Sequence, residues 1–460
     1  MNIIQKTGLP KNTFWTIFAF GVMCFFWGPA DAYFAIYLKS FSDSYTMVGF
    51  LSSLAKLIPL FIAVPIGIYA DRSPAQRIAL YGVIGMLIYT LGYYLAGITG
   101  SLALLSATLL FNGIANIVRN VGMETYIKET VSGGKAASAF SYLGVMNALW
   151  GAGFLLGAVL IAFVDITLFF IIALIGVIFM TVVYARLPNA RDGFHVRYPI
   201  LDKQPMLKRL KRGWMNLRKM DARALHMFWL SFVCAMTVGV IDMFVALFID
   251  DLGLSLALVG VVGGGSYIAL LCAPQITAYS KKSIGVFAAM AIGLLVMIFT
   301  MAIFYFFAAQ SIYILIACVA VHHLFFWSLV KSVRNGVLTT FTPKDMQGEV
   351  TGIQMTLLTL ANLLGALLFG VIGDIWGLAF IFVVMIALYV CMFVGVSYLH
   401  VVYHKRTSHH SIPNIHSLAM VHWDHLGGAL VKDFGKLEKD ITKDVRHMGK
   451  DVKKEFHTKK

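Results

Sequence analysis

The sequence predicts an all-α membrane protein of about twelve transmembrane helices in two pseudo-symmetric six-helix bundles, with a cytoplasmic amphipathic helix at the C-terminus. Three observations predict it. Of the 460 residues, 59% are hydrophobic and 13% charged, with a mean hydropathy of +0.80. A soluble domain is about a quarter charged, so the solvent here is lipid. Apolar runs of about twenty residues, enough to cross a bilayer as helix, recur along the whole chain. The second half also repeats uncommon residues of the first.

The runs fall at roughly 14–38, 46–70, 77–97, 102–125, 137–163, 166–186, 225–249, 257–279, 284–307, 311–334, 349–374 and 377–402. The first is too long for the apolar core of a signal peptide and reads as a span. The run 102–125 is the least clean, because Arg119, Glu124 and Lys128 crowd its end. These runs divide the chain into an N-terminal segment 1–13, a bundle 14–186, a linker 187–224, a second bundle 225–402 and a tail 403–460.

Charge sets the orientation. Alternate loops hold Lys6 and Lys11, Arg72 and Arg77, Lys128 and Lys135, Lys281 and Lys282, and Lys331, Arg334 and Lys344. The other loops hold little that is basic beyond Lys39, and carry Asp43, Asp165, Asp250, Asp251 and Asp374. The excess of basic residues on the cytoplasmic side of membrane proteins places both termini in the cytoplasm, in a plasma membrane (the inner membrane if the source is bacterial). The net charge of +15 lies in loops and tail rather than on a folded basic face, so nucleic acid is not an expected partner. All five cysteines fall within apolar runs, which excludes a disulfide framework or a metal site. No phosphate-cradling Gly-rich loop and no nucleophile motif occurs, so neither an enzyme nor ATP-driven transport is expected, and no cofactor is.

The internal repeat is specific. Asp31-Ala32-Tyr33-Phe34-Ala35-Ile36-Tyr37-Leu38 aligns with Asp242-Met243-Phe244-Val245-Ala246-Leu247-Phe248-Ile249, and Met47-Val48-Gly49 with Leu258-Val259-Gly260 at the same offset. After a slip of a few residues, Val118-Arg119-Asn120 meets Val333-Arg334-Asn335, and Asn147 meets Asn362. Between the second and third runs stands Gly67-Ile68-Tyr69-Ala70-Asp71-Arg72-Ser73-Pro74-Ala75-Gln76-Arg77. It resembles the signature loop of the major facilitator superfamily, G-x-L-A-D-R-x-G-R-R/K. Gly67, Ala70, Asp71 and Arg72 match and Arg77 stands near the last basic position, whereas Tyr69 replaces Leu and Pro74 the second Gly. The resemblance implies the superfamily's fold, two halves that rock about a midplane site, and coupling to a proton gradient. The superfamily's helix-four Arg is not matched, since Leu109 stands at its place. The Gly-Pro of drug–proton antiporters is absent too, because 137–163 contains no proline.

Ionisable groups deep in a span are functional by default, because the bilayer centre penalises them. Asp31 follows Gly28 and Pro29, which loosen the first helix, and Asp242 occupies the symmetric place. Both are candidates for proton coupling or substrate binding, with His322 and His323, of which one faces the cavity and the other packs. Trp27, Tyr33, Tyr37 and Phe244 are candidate cavity aromatics. Asn112, Asn116, Asn147 and Asn362 either line a polar path or bridge helices. Gly67, Asp71, Arg72, Arg77, Arg119, Glu124, Arg334 and Glu349 make up a candidate cytoplasmic gate, in which Arg119 and Arg334 snorkel or pair with Glu124, Asp71 or Glu349.

Two basic amphipathic stretches lie outside the spans. In the linker, Leu207, Leu210, Trp214 and Leu217 recur at helical spacing among arginines and lysines, which reads as an interfacial helix or a solvated linker. In the tail, Trp423, Phe434, Val445 and Phe456 recur every eleven residues, as do Leu426, Leu437 and Met448. That period makes one nearly straight apolar stripe, expected to bind anionic lipid or to dock a protein partner. The tail histidines lack ligand spacing, so no metal is expected. The function expected is proton-coupled secondary transport of a small organic molecule, leaning to efflux of an amphipathic or cationic compound. Import of a sugar, organic acid or amino acid by proton symport is the alternative, and a receptor or lipid-handling scaffold a further one.

Overall fold

A computed structural model describes residues 9–70, 73–131, 146, 148–188, 222–331, 334 and 347–406. Ten helices among these are long and apolar enough to cross a membrane, and two shorter apolar ones, Ala148–Leu160 and Ala257–Cys272, stand where the fifth and eighth spans are expected. The helices are α1 Lys11–Ala32, α2 Phe34–Lys39, α3 Tyr45–Ala70, α4 Ala75–Thr99, α5 Leu102–Thr130, α6 Ala148–Leu160 and α7 Phe169–Ala185 in the first half. In the second half they are α8 Ala222–Asp251, α9 Ala257–Ala269, α10 Ala273–Ser283, α11 Val286–Phe307, α12 Ile312–Phe325, α13 Gln347–Trp376 and α14 Leu378–Arg406. The linker and the tail beyond Arg406 lie outside the described residues, and with them the two amphipathic stretches.

Two expected spans are each divided. The first breaks at Tyr33 (φ −103°, ψ 9°), four residues after Pro29, into α1 and α2. Proline lacks the amide that would continue the ladder, and its ring crowds the preceding turn. The eighth breaks at the 3₁₀ turn Leu270–Cys272, and α10 begins with a proline in its first turn, where a missing amide is harmless. The turn between α4 and α5 shows ordinary capping. Gly100 takes a left-handed φ of 62°, and the Ser101 side chain accepts from the Leu104 amide at 3.3 Å.

With no hydrophobic drive between helices in lipid, close approach rests on small residues and backbone packing. A Cβ on Gly28 would lie 2.7 Å from the Gly153 Cα, and one on Gly157 would lie 3.0 Å from the Pro29 Cα, so α1 and α6 touch backbone to backbone. The two halves meet along α3 with α13 and along α6 with α9. A Cβ on Gly260 would meet Ala158 at 2.8 Å, and one on Gly370 would meet Thr46 at 3.1 Å. Each half has its own aromatic core. The rings of Tyr37, Tyr89, Tyr93 and Phe170 pack together in the first, and those of Phe248, Phe304 and Phe382 in the second, at edge-to-face or tilted angles. Large side chains such as Phe61, Ile88, Phe299 and Phe306 are exposed, as lipid-facing positions require.

Candidate functional site

Asp31 sits near the end of α1, just before the break that Pro29 introduces. The Trp27 indole, one turn earlier on the same helix, donates a hydrogen bond to its carboxylate. Asp242, on α8 of the other half, is close enough to Asp31 to interact with it electrostatically. The two carboxylates therefore face the seam between the halves. Asp242 remains 46% exposed at its side chain, so water reaches it although it lies within a span.

His323 is buried on α12, and its two ring nitrogens both face acceptors. Nδ1 lies 3.1 Å from the carbonyl oxygen of Val319, and Nε2 lies 2.9 Å from Asp242 Oδ1. A carbonyl only accepts, so Nδ1 bears a hydrogen. The short contact to Asp242 then needs a second hydrogen, on either Nε2 or the carboxyl group. The two groups are thus placed to pass a proton between them. His322 turns the other way, with its Nε2 2.9 Å from the Tyr389 hydroxyl and its Nδ1 buried without a partner. Adjacent helical residues point about 100° apart, which separates the two rings.

A residue that sequence reasoning passed over lies beside this group. Lys56 stands near the middle of α3, is solvent-accessible, and interacts electrostatically with Asp31. Its signal was a lysine amid Leu54-Ala55-Lys56-Leu57-Ile58, which an average over the apolar run conceals. Tyr267 on α9 feels both Asp31 and Asp242, and its ring stacks on Trp150 of α6 across the seam, at 6.3 Å and 26°.

The other expected residues are placed differently. Tyr33, Tyr37 and Phe244 are buried at 0%, 2% and 1% exposure. They fill the aromatic cores rather than line a chamber, because burial of large rings holds each half together. Asn112 donates to the Tyr93 hydroxyl at 2.6 Å, and Asn116 bonds Asn112 and Tyr89, so these amides tie α5 to α4. Asn362 keeps a buried, unpartnered Oδ1. Asn147, Asp71 and Arg72 lie outside the described residues. Gly67 and Glu349 lie within α3 and α13, without described side-chain surroundings.

The expected gate is placed only in part. Arg77 is exposed at the start of α4, and Glu124 is half-buried on α5. Arg119 does not snorkel, and the Asp71 and Glu349 side chains with which it was expected to pair lie outside what the structure describes. It is buried within the first half, bonded to Asn120 Oδ1 at 2.9 Å and Met86 Sδ at 3.1 Å, with its guanidinium 5.7 Å from the Phe20 ring centre. A Cβ on the facing Gly82 would strike the Arg119 backbone, so α4 and α5 close over it. Arg334 is likewise buried and bonds Cys234 of α8.

At the end bearing the acidic loops, the halves are joined by polar contacts. Lys39 pairs with Asp250 at 2.8 Å, and the Tyr45 hydroxyl bonds Asp251 at 2.7 Å. Asp374 accepts from Ser44 Oγ at 2.6 Å and from the amides of Tyr45 and Thr46 at 2.8 and 2.9 Å. Ser53 Oγ reaches the Leu363 carbonyl at 3.1 Å, deeper along the same seam.

A family model described as Major Facilitator Superfamily matches residues 16–287 and 227–436. Solved structures of similar fold include the nucleoside transporter NupG, at 13% identity over 85% of this chain and 99% of that one, with a TM-score of 0.64. A bacterial homologue of the iron transporter ferroportin in the inward-facing state matches at 13% identity, over 86% and 99%, with a TM-score of 0.62. The human organic anion transporter MFSD10 (TETRAN) matches at 15% identity, over 84% and 100%, with a TM-score of 0.60. Likeness at such identity establishes the fold and nothing narrower. No curated protein matches the chain by sequence.

Proposed function

The chain belongs to the major facilitator superfamily, and from that premise we propose that it is a proton-coupled secondary transporter of a small organic molecule. The bodies that rock are the bundles 14–186 and 225–402, and the basic-loop end faces the cytoplasm. The observation that carries the reading is the Asp242–His323 pair, 2.9 Å apart, within spans and water-accessible on the carboxylate side. A group that gains and loses a proton where two halves meet can tie protonation to their movement, because an ion's charge is stabilised differently in the wet and closed arrangements.

Export of an amphipathic cation loses its support, since Tyr33, Tyr37 and Phe244 are packed away and Asp31 faces Lys56. Proton symport is the reading favoured. The test is transport in proteoliposomes. An inward proton gradient drives uptake by the unaltered protein. Asp242→Asn abolishes that driven uptake yet leaves substrate exchange between the two sides intact. Undiminished driven uptake by Asp242→Asn removes this pair from the coupling.

A further inference from the structure

Lys56 has no role in the family signature and none in the proton pair, yet its position is costly. It lies about 16 Å along α3 from the nearer end at Tyr45, farther than a lysine stem can snorkel. Gly49, Ser53 and Lys56 share one face of α3, spaced i, i+4 and i+7. The first two meet α13. A Cβ on Gly49 would lie 3.0 Å from the Ala366 carbonyl carbon, and Ser53 Oγ donates to the Leu363 carbonyl. Lys56 continues that face one turn deeper than the Ser53 contact. It is exposed to solvent and interacts electrostatically with Asp31 on α1.

Asp31 accepts from the neutral Trp27 indole and interacts with Lys56 without forming an ion pair with it, and Asp242 contacts His323. The Lys56 ammonium has no ion-pair or hydrogen-bond partner among the described residues. Two further polar atoms are buried without a partner at the same seam, Trp150 Nε1 on α6 and Asn362 Oδ1 on α13. Trp150 stacks on Tyr267, which itself senses Asp31 and Asp242. An ammonium without a hydrogen-bond acceptor among the described residues offers its donors to an acceptor that the protein does not supply. Charge-assisted bonds of this kind are the strong ones.

We infer that Lys56 is the anion-binding residue of the central site, and that the transported molecule carries a carboxylate or a comparable oxyanion. This rests on the transport reading above and replaces the cationic compound expected from the aspartates. A substrate anion entering with a proton on Asp242–His323 would cross as a neutral load, which suits symport.

The test uses purified full-length protein in detergent, with no gradient present. Thermal stability is read against benzoate, succinate, citrate and phenyl phosphate, with benzamide and benzylamine as neutral and cationic counterparts. At least one of these anions is expected to stabilise the protein where benzamide and benzylamine do not. Lys56→Gln is expected to weaken that binding about tenfold or more, and Lys56→Arg to keep it within a few-fold. Failure of all the anions to stabilise the unaltered protein overturns the proposal without recourse to a variant. So does a preference for benzylamine, or equal anion binding by Lys56→Gln. Because no proton gradient enters, loss of anion binding leaves the Asp242 result standing, and failure of coupling leaves anion binding standing.

Discussion

The carboxylate of Asp374, at the end of α13, accepts the backbone amide of Tyr45, the first residue of α3 in the opposite half, at 2.8 Å. With the Thr46 amide and the Ser44 hydroxyl also bound to it, Asp374 caps a helix of the other bundle. Helix N-termini leave unsatisfied N–H groups and a partial positive charge. The cap is therefore available only while the halves meet at this end, and it stabilises that arrangement over one in which they part.

Asp374→Ala is expected to shift the population away from closure at the acidic-loop end. Losing an N-cap costs about 0.5–2 kcal/mol, and the low end applies because the site is exposed and screened. Spin-label distances between the two bundles at that end should lengthen in a larger fraction of molecules. An unchanged distance distribution would show that the cap does not contribute to the closed arrangement.

Asp242 and His323 lie 2.9 Å apart and are proposed to act as one proton-carrying unit, so their losses should not add. Asp242→Asn, His323→Gln and the double variant are expected to reduce gradient-driven uptake to a similar low level, as groups acting as one unit do. Rates that multiply across the double-mutant cycle would separate the two residues and refute the shared proton.

The approach of α1 to α6 depends on missing side chains. Gly28→Val is expected to lower thermal stability in detergent, because its Cβ would overlap the Gly153 backbone, a type of overpacking that costs about 1–3 kcal/mol or more. Gly265→Ala has open space around its Cβ and serves as the contrast, with little change expected. Equal melting temperatures for Gly28→Val and the unaltered protein would mean that the two helices sit farther apart.

Deletion of 420–460 is expected to weaken binding to vesicles containing anionic lipid, while substrate exchange by the remaining chain persists. The apolar stripe of period eleven and its lysines predict this. Co-sedimentation with phosphatidylserine vesicles checks it, and equal binding with and without the tail would assign those residues another task.

Much of the fold was legible in advance for a simple reason. In lipid every backbone group must be satisfied within the helix, so run length alone announces a span. The duplication was equally plain, because Asp31 and Asp242 recur in matching surroundings. The breaks at Tyr33 and at Leu270–Cys272 left only the nearby prolines as hints. Lys56 escaped notice because a single charge barely moves the mean of an apolar run. Arg119 was expected to snorkel because its end of α5 resembled a membrane border, whereas Gly82 lets α4 cover it.

By itself, then, the sequence determined the membrane setting, the twofold plan and the acidic residues worth attention. These follow from local composition and period, which act within one helix. Only the tertiary structure decided that His323 rather than His322 meets Asp242, that Tyr33, Tyr37 and Phe244 pack instead of lining a chamber, and that Lys56 stands beside Asp31. Those outcomes depend on how helices far apart in the chain rotate against one another, and the packing of both halves sets that rotation.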